Sequence, residues 1–355
     1  MAGDFGRVRC IAVFHLNQMG DLIFSLPLLA NLRQGFPRAR IVSVLRPHLR
    51  DLWAMSGLGD EFLVRDRQAR LANLLPLARA LRKRSPALCV LQTQSLEPAV
   101  LARMSGAPAR VGFRIAWWDR LFLTHVVPKD TPPSVANNLR LGEAAGAPAI
   151  RRDYVGLLRP PAGERLRMMR RLAEHRVTAR TRLIVLAPGA SAGRALKLWT
   201  DDGFAQVADH FASQPETAVA FVGQSALRGR LQRMSRHILD FTGRTTVPEL
   251  AALLDRADVV VSVDSGPLHV AAAMATPVVG IYGPTDPALT GPMGLGHRVV
   301  RLGVPCSPCH LNECPIGRVC MEHLPASLVI QAAEEALAEA RLSASKWPSP
   351  PEREG

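Results

Sequence analysis

The stretch Val259–Pro287, VVVSVDSGPLHVAAAMATPVVGIYGPTDP, decides how the whole chain is read. A run of β-branched residues ends at Asp264. Ser265, Gly266 and Pro267 follow, then a stretch of small residues, then a second apolar run that ends in Gly-Pro-Thr-Asp-Pro. Short β-branched runs suit buried strands, and Pro267 suits the first turn of a helix. Strand, helix and strand in so few residues make one unit of parallel α/β sheet. Asp264, Ser265, Gly266 and His269 then lie at the carboxyl end of a strand, where open α/β sheets bind their ligands.

The same alternation extends outward from this stretch. Upstream, RLIVLAPGA and TAVAFVG read as strands, and DDGFAQVADHFAS, SALRGRLQRMSRHI and VPELAALLDRA as helices. Downstream, ASLVIQAAEEALAEARL is a final helix. Near the N-terminus CIAVFHL, RIVSVL, EFLVR and ALCVLQ read as strands, separated by the helical patterns DLIFSLPLLANLRQGF and RQARLANLLPLARALRKR. Pro27 inside the first of these helices predicts a kink or an early end to its first turn. The segment around LLRPPAGERL marks a change of composition and a domain boundary near Pro160. The expected architecture is α/β: two Rossmann-like, doubly wound domains facing across a cleft, over residues 1–160 and 161–342, with a polar, Pro-rich disordered tail over 343–355.

The bulk numbers fit that picture. A chain of 355 residues is too long for one ordinary core. Hydrophobic residues make up 48% and aromatic residues 5%, so Leu, Val and Ala must fill the interior. The formal net charge is +14. The arginines are spread along the chain and no zinc-finger, RNA-recognition or Walker signature accompanies them, which favours an anionic small molecule or a lipid surface over nucleic acid. The N-terminal residues lack a long apolar segment and carry an early acid, so no signal peptide is expected. No apolar run is long enough to span a bilayer. The expected location is cytoplasmic, with basic surface suited to peripheral contact with the inner face of the inner membrane.

Four strand-end loops carry the chemistry. The loop HLNQMGD holds Asp21 at a helix start and one glycine, where a dinucleotide fingerprint needs three. The loop APGASAGRALKLW offers the Ser191 hydroxyl and the Lys197 charge. VGQSAL is the third. In the fourth, the helix beginning at Ser265–Gly266 presents backbone N–H groups and the positive end of its dipole, an arrangement that attracts phosphate. Gly266 permits close approach of a ligand to the backbone. The plain structural reading is that Asp264 or Ser265 caps its helix, Lys197 is a solvated surface charge, and Asp21 is a first-turn acid. The adjacent acids of TDDGF read as capping.

Taken in order, these segments resemble glycosyltransferase family 9, the bacterial lipopolysaccharide heptosyltransferases. MGDLIFSLPLLANLRQGFPRARI, RVGF, NNLRLGEAAG, APGAS followed by KLW, and DSGPLHVAAAMATPVVGIYGPTDPALTGPMG carry the resemblance along nearly the whole chain. It implies a GT-B fold and an inverting, metal-independent transfer of heptose from ADP-heptose to a lipopolysaccharide core or related lipid-linked saccharide. It implies Asp21 as the general base, Ser191, Lys197, Ser265 and Gly266 as holders of the donor diphosphate, Asp264 as the group orienting the donor, and His269 as its support. No cofactor is expected for catalysis. Two departures bear on the donor: Leu227 and Arg228 stand where many relatives carry an acid facing the ribose, and His15 stands where many carry Arg. Another nucleotide sugar or acceptor, or a non-catalytic sugar-nucleotide-binding protein on the same fold, are the alternative readings.

Of six cysteines, four cluster at Cys306, Cys309, Cys314 and Cys320 within CSPCHLNECPIGRVC. Their spacing could bind a structural zinc or an iron–sulfur cluster; reduced packing thiols and redox pairs are the other readings. Cys10 and Cys89 lie in strand-like runs and read as small buried hydrophobes.

Overall fold

The computed structural model describes residues 8–16, 18–65, 74–114, 116–117, 119–129, 134–191, 193–224 and 238–342. The chain divides into two compact units, Met1–Leu158 and Arg159–Gly355. In the first unit the described strands are β1 (Cys10–Phe14), β2 (Arg40–Leu45), β3 (Glu61–Val64), β4 (Leu88–Leu91), β5 (Ala109–Phe113) and β6 (His125–Val127). They form a parallel sheet in the order β3-β2-β1-β4-β5-β6. In the second unit β7 (Arg182–Ala187), β8 (Thr217–Phe221), β9 (Ile238–Asp240), β10 (Val259–Val263), β11 (Val278–Tyr282) and β12 (Arg298–Arg301) form a second parallel sheet, ordered β12-β11-β10-β7-β8-β9. Each sheet reverses direction beside its first strand, between β1 and β4 and between β7 and β10. Those are the switch points at which such sheets leave a crevice above the strand ends.

The central strands are apolar because both faces are covered by helices. All five residues of β1, β10 and β11 are buried. Local signals start several helices where the sequence says they should. Thr246 makes a capping box: its hydroxyl accepts from the Glu249 amide at 3.4 Å and Glu249 Oε2 accepts from the Thr246 amide at 2.8 Å, opening the helix Val247–Arg256. Thr200 caps Asp201–Ala212 by accepting from Gly203 N at 3.0 Å, so the acids of TDDGF sit in the first turn and the threonine is the cap.

The helix Met19–Gly35 runs uninterrupted through Pro27. It packs on the helix Ser134–Ala144. Asn138 donates to the Phe24 carbonyl at 3.0 Å, and a Cβ on Gly142 would lie only 3.0 Å from Leu28. The NNLRLG motif therefore secures the helix that carries Asp21. The expected helix over 67–84 is described only as Leu74–Lys83. The expected helix within 225–237, the positions Leu227 and Arg228, and the tail 343–355 lie outside the described residues. Among the described residues no helix is long and apolar enough to cross a membrane.

Candidate functional site

In the second unit the residues at the β7/β10 switch point converge. Asp264 follows β10 and is 4% exposed. Its Oδ2 accepts from Lys197 Nζ at 2.6 Å and from the Thr290 hydroxyl at 3.4 Å; its Oδ1 faces His269 Nε2 at 3.2 Å. Burial opposes charge on this carboxyl. The hydrogen bond and charge of His269, together with the Lys197 ammonium, overcome that opposition and hold it well below the usual carboxylate range. Lys197 is thus no solvated surface charge. Its position is fixed from below: it sits on a 3₁₀ turn, Ala195–Lys197, whose chain continues to Trp199. Trp199 is buried, packs on Phe204, and donates from Nε1 to the Leu324 carbonyl at 3.1 Å. Gly203 lies against the Trp199 ring, where a Cβ would come within 2.4 Å.

The helix Gly266–Ala273 begins beside this group with no side-chain cap. The Ser265 hydroxyl turns instead toward Ser262 Oγ, 3.2 Å away, and Asp264 is engaged by Lys197 and His269. Neither residue caps the helix, which leaves its first N–H groups to another acceptor. Gly266 is half-buried at that N-terminus. Ser191 lies exposed in the same loop as Lys197, and among the described residues no hydrogen bond joins its hydroxyl to Lys197 or Asp264. Strand-end position drew attention to Asp264 and His269, and the family resemblance to Lys197; Thr290, Trp199 and Arg318 were not anticipated. Arg318 donates from Nη1 to the carbonyls of Ala195 and Leu198 at 3.1 and 3.0 Å, bracketing Lys197.

In the first unit Asp21 lies in the first turn of Met19–Gly35, half-buried, near the β1/β4 switch point. Beneath it a buried relay runs from Trp53 to the helix. Trp53 Nε1 donates to Ser43 Oγ at 2.8 Å, Ser43 Oγ lies 3.0 Å from His15 Nε2, His15 Nδ1 lies 3.3 Å from Ser25 Oγ, and Ser25 donates to the Leu22 carbonyl at 2.6 Å. Each hydroxyl has one proton. Ser25 uses its own on Leu22, so His15 Nδ1–H must be the donor there, and Ser43 then donates to Nε2. The imidazole is neutral, consistent with burial pushing His15 down to about 4. Where the resemblance led one to look for an arginine, this chain has a hydrogen-bonded spacer under the helix that bears Asp21.

The cysteine segment corrects one expectation. Among the described residues no group of three or more His, Cys, Asp or Glu side chains is placed to hold a metal ion, so a structural zinc or iron–sulfur cluster finds no support. The four thiols differ in burial: Cys320 is buried, Cys306 is exposed, and Cys309 and Cys314 are half-buried. Cys314 Sγ accepts from the Arg318 amide at 3.2 Å. Backbone hydrogen bonds from Ile316 and Arg318, then the Arg318 charge, lower the Cys314 thiol. Cys10 and Cys89 are core residues, as expected.

Residues 74–320 match the model of glycosyltransferase family 9 (heptosyltransferase). The chain belongs to glycosyltransferase family 9. It is therefore a glycosyltransferase. Lipopolysaccharide heptosyltransferase 3 of Escherichia coli K12 is 28% identical over 293 residues, 75% of this chain and 80% of that relative. Among solved structures, a family 9 glycosyl transferase from Veillonella parvula superposes with a TM-score of 0.82 at 23% identity, over 96% of this chain and 99% of its own. The E. coli ADP-heptose lps heptosyltransferase II superposes at 0.78 and 21% identity, over 93% and 99%. With these family 9 structures the chain shares the two-Rossmann-unit GT-B fold.

Proposed function

We propose that this family 9 chain transfers heptose from ADP-heptose to a lipopolysaccharide core saccharide, with inversion and without a catalytic metal. The observation that carries the reading is the buried Lys197–Asp264–His269 group beside an uncapped helix N-terminus. A fixed ammonium and unclaimed backbone N–H groups are what a leaving diphosphate requires, because they are already oriented when its charge develops. In a single displacement the acceptor oxygen bonds to the anomeric carbon as the bond from that carbon to the diphosphate oxygen breaks. Asp21 takes the acceptor proton; assistance of this kind contributes about 10²–10⁴-fold. Ser191, Lys197, Ser265 and Gly266 hold the diphosphate, Asp264 orients the donor, and His269 keeps Asp264 in place. The names of the relatives support heptose, ADP and the lipopolysaccharide acceptor. The basic surface supports a cytoplasmic protein that meets a phosphorylated lipid-linked acceptor at the inner face of the inner membrane.

Calorimetric titration with ADP, GDP, UDP and CDP, with and without their sugars, tests the donor. ADP is expected to bind selectively, and Lys197→Ala to weaken it by about 30-fold or more, the consequence of removing one partner from a desolvated charge contact. Selective binding of another nucleotide would reassign the donor. Asp21→Asn is expected to lower transfer by about 10²-fold or more while ADP affinity is unchanged. Undiminished transfer by that variant would refute Asp21 as the base.

A further inference from the structure

We propose that the segment Val304–Arg318 is a wall of the donor site, and that the pocket it closes receives the sugar of the donor through Arg194, Thr285, His310 and Asn312. The inference rests on the donor reading above and adds where the transferred group lies.

The segment is fastened to two of the strand-end loops that build the site. On the β11 side, the Ser307 hydroxyl donates to the Gly283 carbonyl at 2.6 Å and the His310 amide to the Pro284 carbonyl at 2.8 Å. The chain beyond the segment packs so closely that a Cβ on Gly283 would lie 2.4 Å from Met321 Sδ and 2.9 Å from Cys320 Sγ. On the β7 side, Arg318 holds the Ala195 and Leu198 carbonyls, and Arg194 Nη1 donates to Asn312 Oδ1 at 3.2 Å. The Cys-rich segment therefore spans the two loops like a strap. Cys320 serves by packing, and Cys314 by accepting from the backbone that positions Arg318.

Under the strap lies an open pocket of about 50 Å³, lined among others by Arg194, Lys197, Thr285, His310, Leu311 and Asn312. Its lining distinguishes between the parts of a nucleotide sugar. No Phe, Tyr or Trp is present to stack a base, and Leu196, Leu311 and Pro284 stand among charged and hydrogen-bonding groups. A guanidinium, an imidazole, a hydroxyl and a carboxamide suit a polyol. The carbonyl of Asn312 is engaged by Arg194, which leaves its two N–H donors for hydroxyl oxygens. The Thr285 hydroxyl is buried and has no hydrogen-bond partner among the described residues. The pocket shares Lys197 with the proposed diphosphate site and lies on its β11 flank, so a ligand whose diphosphate rests on Lys197 extends its polar end here.

The test is titration of the full chain with ADP and with ADP-heptose. His310 and Asn312 are exposed, so their replacement leaves the fold intact. Asn312→Ala and His310→Ala are each expected to weaken ADP-heptose by about 10-fold, the magnitude of about 1.4 kcal/mol, and to leave ADP within 2-fold. Arg194→Ala is expected to act in the same direction. Equal loss of both ligands, or loss of neither, would overturn the sugar subsite while leaving the donor reading standing. A wild-type chain that binds neither ligand overturns the donor reading, and the subsite with it.

Discussion

Lys197→Ala provides a direct measure of how strongly the site is built around Asp264. The Asp264 side chain is 3% exposed and that of Lys197 21%, with 2.6 Å between their charged atoms. Removing one partner from a buried ion pair typically destabilises by about 3–5 kcal/mol, because the remaining charge is left desolvated. Here Lys197 is partly solvated, and His269 remains 3.2 Å from the other oxygen. The expected loss at pH 7 is therefore smaller, about 2–3 kcal/mol. The pH dependence follows from the sign of the shift. The folded carboxyl is depressed, so its contribution is complete above the unfolded value of about 4 and is lost as pH falls toward the folded one. Without Lys197 the depression is smaller. The gap between wild type and variant is then widest at neutral pH and narrows in acid, as both proteins approach the protonated form. In an Asp264→Asn background the same substitution should have an effect below about 1 kcal/mol, giving a coupling of about 2 kcal/mol. Urea unfolding at pH 7 for the four members of the cycle reads the coupling. A coupling near zero would show that Lys197 is held by its loop alone and that the pair does not organise the site.

Three further outcomes are expected. His15 is buried with its titration pushed down to about 4, so the unfolded chain takes up a proton on this residue from about pH 6.5 while the folded chain does not; stability should fall by about 3 kcal/mol between pH 6.5 and 4, and His15→Asn should flatten that slope in urea unfolding. Ser43→Ala leaves Trp53 Nε1 and His15 Nε2 without their shared hydroxyl, and a loss of about 2–4 kcal/mol is expected in the same measurement. Trp199→Ala removes a buried ring from beneath Lys197; a loss of about 3–5 kcal/mol together with weakened ADP binding is expected, and a stability loss with unchanged ADP affinity would separate the ring from the positioning of Lys197.

The central strands were legible because both their faces are buried. RIVSVL is β2 residue for residue, and the runs ending at Ala187, Phe221, Val263 and Tyr282 needed trimming by one to three residues. Of the four edge strands only EFLVR, β3, was legible. β6 and β9 are three residues each, and β12 is RVVR, whose arginines belong to a sheet border where one side faces water. β5 hid for another reason. Its ARVGF carries Gly112, which reads as a turn, yet Leu123 packs so closely over it that a Cβ would stand 3.0 Å away. Pro27 does not end its helix: helix packing and the Asn138 anchor keep Met19–Gly35 continuous where local propensity suggested a break.

The site was legible only as far as its groups follow strands directly. Asp264 and His269 are five residues apart on one strand–helix junction, so sequence alone places them together. Lys197 reaches Asp264 across 67 positions, which sequence supplied only through resemblance to a family. The cysteine cluster shows why spacing is a weaker guide than placement. Four thiols within fifteen residues look like ligands for one ion, yet the strap they punctuate is tied to two loops, and the thiols differ in burial from exposed Cys306 to buried Cys320. What the spacing encodes here is a crossing: Ser307, His310 and Cys320 grip one loop, while Asn312 and Arg318 grip the other. A segment gripped at both loops holds its remaining side chains between them, and the residues exposed between the two grips are the ones left to meet a ligand.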